Sequence, residues 1–317
     1  MSHTIKSNTA LRSDSCPVCG ADQFKPWRWQ SLEVCHHCGH VRKLSKIDRT
    51  NLDDALPEYF GAGFAFQNDA FTRLYESMNS WRRLRELQGF IARGGRVLEV
   101  GVGRGNFLVT LRDAGYQVDG LDLSAAVCDA VQTRYGLPVH HSNVEAYAKA
   151  SPNGMYDAVL MCHVLEHVES LSPALRAVKG LLKQDGILYL AVPNVAAWNA
   201  YLPGWSSYEP YHVHYFTPKS LRHLLVSEKF HVQHESTFEP ISGWFNSVVR
   251  SIRHHSPDLN PPAPGQHRNR PGHGSLWYLY NVARVTTGCL LSPLRWIQSA
   301  AGYGEELVMI AQYRFPK

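Results

Sequence analysis

Residues Val97-Leu98-Glu99-Val100-Gly101-Val102-Gly103-Arg104-Gly105 constrain the fold more than any other stretch. An apolar strand-forming run passes into glycines at alternate positions and then into a helix-forming run, Phe107–Ala114. Glycine lacks a Cβ, so its backbone can approach a ligand closely. The helix behind it offers unpaired N–H groups to a negative group. A glycine turn of this kind belongs at the carboxyl end of a first buried strand in an alternating strand–helix chain.

The segments that follow alternate as that placement requires. Gln117–Leu121 predicts a second strand, Ala125–Tyr135 a helix, Val139–His140 a short strand and Tyr156–Cys162 a fourth. Pro173–Leu182 predicts a helix and Gly186–Val192 a fifth strand. Pro218–Ser227 (helix), Phe230–Thr237 (strand) and Leu307–Gln312 (final strand) complete an α/β, doubly wound, Rossmann-like sheet. Ahead of it Pro57–Gly61 reads as a turn. Phe71, Leu74, Tyr75, Met78, Trp81, Leu84, Leu87, Phe90 and Ile91 then recur at helical spacing. That helix would carry Arg82, Arg83 and Arg85 on its wetter side and stop at Gly94-Gly95.

Four of the seven cysteines fall in the first 40 residues, as Cys16-Pro-Val-Cys19-Gly and Cys35-His-His-Cys38-Gly. Each C-x-x-C turn aims two thiolates at one point, and Gly20 and Gly39 allow the backbone to fold back. Two such turns at this distance predict a closed, tetrahedral, structural Zn²⁺ site. Phe24, Trp27 and Trp29 would supply the strands of a small zinc ribbon, whose folding the metal would support. Two disulfides are the alternative and suit a cytoplasmic chain poorly. Cys128, Cys162 and Cys289 are isolated and read as packing residues.

Asp122 closes the second strand 21 residues after Gly101, where such folds place a carboxylate that receives both ribose hydroxyls. A nicotinamide enzyme would show G-x-G-x-x-G. Here the spacing is G-x-G-x-G with Glu99 ahead of it. That combination resembles motif I of the class I S-adenosylmethionine-dependent methyltransferases, over about residues 59–240 plus the last strand. Asp122-Leu123-Ser124 resembles the family's ribose-binding acid and its neighbours. Ser142-Asn143-Val144-Glu145 stands where the family has Gly-Asp-hydrophobic-Glu, so the adenine-side acid is here an uncharged Asn143. His163-Val164-Leu165-Glu166-His167-Val168 ends the fourth strand in the manner of the ubiquinone-type and sugar O-methyltransferases. Gly186–Asn194, His212–Pro218 and Glu305–Ile310 resemble the elements that follow. The resemblance implies a seven-stranded sheet with an antiparallel last strand. It also implies S-adenosyl-L-methionine as cofactor, bound through Glu99, Gly101, Gly103, Asp122, Leu123, Asn143, Val144 and Cys162.

Methyl transfer from a sulfonium is an in-line displacement, dominated by alignment in a dry site. A hydroxyl acceptor also benefits from a base, and imidazole titrates in the right range. His167, then His163, then His214 are the candidates. The first two lie at the carboxyl end of the fourth strand and, four apart, would face one side of a helical turn. The third follows the fifth strand on the same sheet edge. Glu166 reads as a residue that holds the loop.

Residues 1–50 form the ribbon, 51–95 a helical connector or lid, 96–240 the methyltransferase core, 241–304 an insertion and 305–317 the last strand. Residues 256–275, with five Pro and three Gly, read as a mobile loop. Residues 1–50 carry a net charge of +4 and residues 241–304 of +5 within a total of +5, so two basic ends flank an acidic centre. At 44% hydrophobic and 19% charged the chain is not a disordered polymer. It shows no signal peptide and no spanning run, which predicts a cytoplasmic protein. The insertion, with Trp, Tyr and Arg but no Lys, predicts a lid, a homodimer contact or a membrane-surface contact. The leading reading is a methyltransferase acting on an oxygen of a small or carrier-linked acceptor such as a sugar. The alternatives are an RNA base methyltransferase whose Trp27 and Trp29 stack on bases, a sugar C-methyltransferase, and a binding module on a methyltransferase scaffold.

Overall fold

A strand that is apolar on both faces has to lie inside a sheet covered on both sides. The computed structural model, which describes residues 15–29, 31–44, 70–253, 259 and 275–313, places Arg96–Val100 in that position. In chain order the elements are β1 (Phe24–Pro26), β2 (Leu32–Cys35), β3 (Val41–Lys43), α1 (Ala70–Leu87), β4 (Arg96–Val100), α2 (Asn106–Asp113), β5 (Gln117–Asp122) and α3 (Ala125–Tyr135). Then follow β6 (Val139–His141), α4 (Val144–Ala150), β7 (Tyr156–Cys162), α5 (Leu171–Leu181), β8 (Leu182–Pro193), β9 (His214–Tyr215) and α6 (Pro218–Ser227). The chain continues with β10 (Phe230–Phe238), α7 (Gly243–Arg253), α8 (Ser275–Leu290), α9 (Ser292–Ala300) and β11 (Glu306–Tyr313).

Seven strands form one sheet in the order β10-β11-β8-β7-β4-β5-β6. All neighbours from β8 to β6 are parallel, and β11 runs antiparallel between β8 and β10. Strand order reverses at β4, so a crevice opens beyond the carboxyl ends of β4 and β7, where such sheets bind ligands. Two buried layers cover the faces. One includes Leu98, Val159, Leu175 and Leu190; the other includes Leu84, Leu87, Leu111 and Tyr189.

The cysteine-bearing segment is not a free-standing module. Its strands form a second sheet, β1-β2-β3-β9, whose last member comes from the far side of the core. Val41 pairs with Tyr215 and Arg42 with His214. Cys16, Val18, Cys35 and Cys38 join the same buried cluster as Phe216, Leu221 and Leu224. Trp27 and Trp29 pack against the cluster holding Trp205 and Tyr208, with Trp29 edge-on to Tyr208 at 6.1 Å. The stacking surface expected of them is therefore turned inward.

Two local expectations are corrected. On α1, Leu84 and Leu87 are buried, but Leu74, Met78 and Trp81 are exposed. Arg82 and Arg83, expected on the wet side, turn inward onto the buried carboxylate of Glu306, which needs a counter-charge. Cys289 is exposed and not a packing residue, whereas Cys128 is buried with its thiol near the Asp122 carbonyl. Helix α4 was not expected at all. Its signal is Asn143, whose side chain accepts from Ala146 N at 2.7 Å as an N-cap. The Pro57–Gly61 turn and almost all of the Pro-rich stretch lie outside the described residues.

Candidate functional site

The glycine loop is held open from within. Gly101, Gly103 and Gly105 have φ of 76°, 49° and 75°, the left-handed region that glycine adopts without strain. A Cβ on Gly101 would stand 2.5 Å from Val164 Cγ2, so its bareness lets the β7 loop pass; the expected reason, room for a ligand, belongs to Gly103. A Cβ there would meet nothing within 4 Å. On Gly105 it would press on Val131 at 2.9 Å, which sets the packing of α3 behind the loop.

Two carboxylates, Asp122 and Glu99, stand beside that loop. Asp122 accepts from Ser124 N at 2.9 Å and Gly103 N at 3.4 Å, which leaves lone pairs on both oxygens for further donors. Burial raises its carboxyl above the usual range. Glu99 is buried, and its Oε2 has no hydrogen-bond partner. Burial pushes its carboxyl up to about 8, against the pull of Arg83. An unmet buried acceptor of this kind suits a cationic donor. Leu123 is 60% exposed beside Asp122, an apolar surface at the rim of the opening. Asn143 is exposed and Val144 buried at the next strand end. Cys162 closes β7 beside Glu99 and Arg83, its thiol pushed up to about 12 by burial. The residues at this strand edge fit a cofactor that offers hydroxyls and a cationic group.

Beyond β7 the chain makes one left-handed residue, His163 at φ 57°, then a 3₁₀ turn, Leu165–His167. The two histidines therefore do not share a face. His163 Nε2 contacts Glu306 at 2.9 Å and its Nδ1 lies 3.4 Å from Glu166. Its side chain is 44% exposed, so desolvation is partial, and the two carboxylates outweigh it and raise its pKa to about 9. His163 is thus an imidazolium at neutral pH. Glu166, fully buried, is pushed up by desolvation but brought down to about 2 by His163 and the neighbouring His167 and His212. His167 donates from Nδ1 to the Tyr211 carbonyl (3.1 Å), and His212 from Nδ1 to the Ser207 carbonyl (2.8 Å). Burial pushes His212 down to about 3, so its Nε2 is an acceptor at neutral pH, and one ligand atom from each of His167, His212 and Glu166 lies within 4.8 Å of the others. A neutral imidazole oriented by a backbone carbonyl, beside a carboxylate, can accept a proton or hold a divalent cation.

His214 is elsewhere. It is buried in β9, with Nδ1 3.0 Å from His40 Nε2, and burial pushes it down to about 4. It joins the ribbon to the core; of the three candidate bases only His163 lines the cavity, and His167 reaches it only through Glu166, which contacts His163.

A cavity of about 490 Å³ opens on the same sheet edge. His163, Arg83, Glu305 and Glu306 line its floor, Tyr75 and Asn79 of α1 one wall, and Asn246 of α7 and Arg284 of α8 another. The 241–304 segment is thus a wall of this cavity. Glu305 is buried and accepts from Ser206 Oγ and from Asn199 Nδ2, which also reaches Glu239. Gly243 makes this possible, since a Cβ there would stand 2.2 Å from Glu239 and 2.5 Å from Glu305. Burial and the charge of Glu305 push Glu239 up to about 9. Sequence reasoning missed Glu239, Glu305, Glu306 and Asn199 as site residues. The acids lie in segments that are 67 positions apart in the chain, and only the β10–β11 pairing joins them.

Cys16, Cys19, Cys35 and Cys38 bring four sulfurs within 4.8 Å of one another. All four are free thiols, with Cys16 Sγ 3.6 Å from Cys38 and Cys19 Sγ 3.5 Å from Cys35. Gly20 N–H donates to Cys16 O and Gly39 N–H to Cys35 O, closing two matching turns. The donor set fits one tetrahedral zinc.

Known proteins share this fold. The family model described as "Methyltransferase domain" matches residues 72–235. The chain is similar to the ubiquinone biosynthesis O-methyltransferase of Sodalis glossinidius, 34% identical over 106 residues, 32% of this chain and 42% of that protein. It is also similar to the one of Vibrio cholerae, 35% identical over 106 residues, 32% of this chain and 43% of that protein. The chain thus spans less than half the length of these curated relatives. A solved Galdieria sulphuraria structure, proposed to be a sarcosine dimethylglycine methyltransferase, superposes with a TM-score of 0.51 at 14% identity, covering 83% of this chain and 99% of that one. That likeness is one of fold.

Proposed function

Because the chain belongs to the methyltransferase-domain family, we propose that it moves a methyl group from S-adenosylmethionine to an oxygen of a small or carrier-linked, hydroxylated acceptor such as a sugar. The observation that carries the acceptor half is the cavity itself. It adjoins the carboxyl ends of β7 and β8 and combines an imidazolium, carboxylates, Ser206, Ser207 and Asn246 with an apolar lining that includes Leu74, Met78, Ile241 and Val285, a surface suited to a hydroxyl carried on a partly apolar acceptor. S-adenosylmethionine supplies an electrophilic methyl on a sulfonium when bound. Glu99 holds its ammonium, Asp122 its ribose hydroxyls, and Gly103 leaves room for its chain. His163, held charged by Glu306 and Glu166, orients the acceptor oxygen. His167 takes the acceptor's proton at Nε2, and Glu166 stabilises the imidazolium that forms, as a carboxylate does in a triad. The cysteine cluster binds a structural zinc.

The test measures S-adenosylhomocysteine formation on a panel of sugars and phenols, alongside S-adenosylmethionine affinity by calorimetry. His167→Ala is expected to cut turnover by about 10²–10⁴ and leave that affinity nearly intact. His163→Ala should raise KM more than it lowers kcat. Undiminished turnover in His167→Ala would remove the base from this loop. Absence of S-adenosylmethionine binding would remove the cofactor assignment.

A further inference from the structure

Helix α8 turns one arginine inward. Asn281, Arg284, Val285 and Gly288 recur at the spacing of a single helical stripe. That stripe faces the protein. Asn281 is buried, Gly288 has no room for a Cβ beside the Ile241 carbonyl, and Arg284 and Val285 line the cavity. A guanidinium stays charged and carries five donors in a planar fork, so one turned inward needs acceptors. Other arginines of this region have them. Arg82 and Arg83 meet Glu306, Arg250 donates to the Ser206 carbonyl at 3.2 Å, and Arg295 donates to the carbonyls of Pro240, Glu239 and Gly288. Arg284 is half-buried and makes no hydrogen bond or ion pair with any described residue.

The cavity does not supply the missing counter-charge. Three cationic side chains, Arg83, His163 and Arg284, line it against two carboxyls, Glu305 and Glu306. Glu306 is already shared by Arg82, Arg83 and His163. Glu305 accepts from Ser206 and Asn199, and burial raises it toward its neutral form. The lining therefore carries surplus positive charge beside the apolar side chains of Leu74 and Val285. We propose that Arg284 binds an oxyanion of the acceptor, a carboxylate or a phosphate, so that the hydroxyl to be methylated sits on a partly apolar body that is also an acid. The fork of a guanidinium matches two oxygens of such a group. His163 on the floor then meets the hydroxyl while α8 holds the charged end, which aligns the acceptor for transfer. This assignment of substrate class rests on the acceptor reading of the cavity given above.

Calorimetry with benzoate and phenyl phosphate, against neutral benzamide, tests it without turnover. Excess S-adenosylhomocysteine keeps the probes out of the cofactor opening. At least one anionic probe is expected to bind about tenfold to a hundredfold tighter than benzamide, the range of hydrogen bonds to a charged group, and the tighter of the two tells carboxylate from phosphate. Arg284→Gln should remove that preference. Arg284→Lys, which keeps the charge without the fork, should restore part of it. S-adenosylmethionine affinity, expected to be unchanged in both variants, is the control for folding. No preference for either anionic probe in the unaltered protein would overturn the proposal, and so would a preference that survives Arg284→Gln. The methyl-transfer reading fails separately. If no acceptor yields S-adenosylhomocysteine, the anion preference and its loss in Arg284→Gln would still be measured.

Discussion

At the scale of single residues, the most informative group is a carboxylic acid without a partner. Glu99 is buried beside the glycine loop, one oxygen is unmet, and burial pushes its carboxyl up to about 8. It is therefore largely protonated at neutral pH until a cation arrives. An ammonium placed against it lowers that pKa, so cofactor binding should release a proton. Calorimetry in buffers of different ionisation enthalpy measures the release directly. Glu99→Gln should abolish it and weaken S-adenosylmethionine by about tenfold to a hundredfold, the range of a hydrogen bond to a charged group. Binding with no proton released in the unaltered protein would place the ammonium elsewhere. Glu99 and Asp122 were legible as candidate site residues because their chemistry is local to a strand end. His163 was legible as a residue and not as a role, because its charge comes from Glu306, 143 positions away.

At the scale of elements, the loop after β7 is the shared part. Val164 abuts Gly101, Glu166 collects the histidines, and the Glu166 carbonyl accepts from Val213 N at 3.0 Å. Val213 in turn accepts from Lys43 N of β3 at 3.1 Å. The cysteine segment thus reaches the candidate site through two backbone hydrogen bonds and the β3–β9 pairing. The sequence predicts the four ligands from spacing alone, but the ribbon's partner strand is only two residues long and carries no periodic signal. Zinc should accordingly act on catalysis through position. The protein is expected to hold one zinc by elemental analysis, and Cys16→Ser to lose it. The large sheet should stay folded by circular dichroism, while a slackened β9 lowers turnover by about 10²-fold, the cost of a misplaced acceptor group. Full turnover in the metal-free variant would show that the ribbon only decorates the core. In Gly101→Val, the branched side chain meets Val164 in a loop that serves both sides, so cofactor affinity and acceptor KM should worsen together, which a purely cofactor-facing glycine would not do.

At the scale of the whole molecule, the strand–helix alternation followed from hydrophobic runs, because β4, β7 and β8 are buried on both faces, whereas the seven-stranded sheet with its antiparallel last strand came from the family resemblance. The electrostatic centre followed from neither, since it is assembled from α1, β7 and β11. Arg82 and Arg83 both pair with Glu306, and Glu306 also meets His163. Desolvation would raise the Glu306 carboxyl, but the two arginines hold it well below the usual range. Glu306→Gln would leave two buried guanidinium groups short of a counter-charge, at a cost of about 3 kcal/mol in urea unfolding. The same cluster sets a pH dependence whose sign is fixed. His163 is raised in the folded state from 6.5 to about 9, so its contribution is complete below 6.5 and is lost as pH rises through 9. Glu166 is lowered from 4.5 to about 2, so its contribution is complete above 4.5 and is lost as pH falls through 2. Unfolding free energy measured from pH 4 to 10 should therefore decline on the alkaline side, where the raised Glu99 and Glu239 carboxyls, at about 8 and 9, add to His163 with the same sign. In His163→Asn, which keeps polar contacts and cannot ionise, that decline should become shallower, since the share of the partly exposed His163 is removed and the two carboxyls remain. An alkaline limb of unchanged slope in His163→Asn would mean that Glu306 and Glu166 do not hold the proton on His163, and the imidazolium assigned to the cavity floor would fall with it.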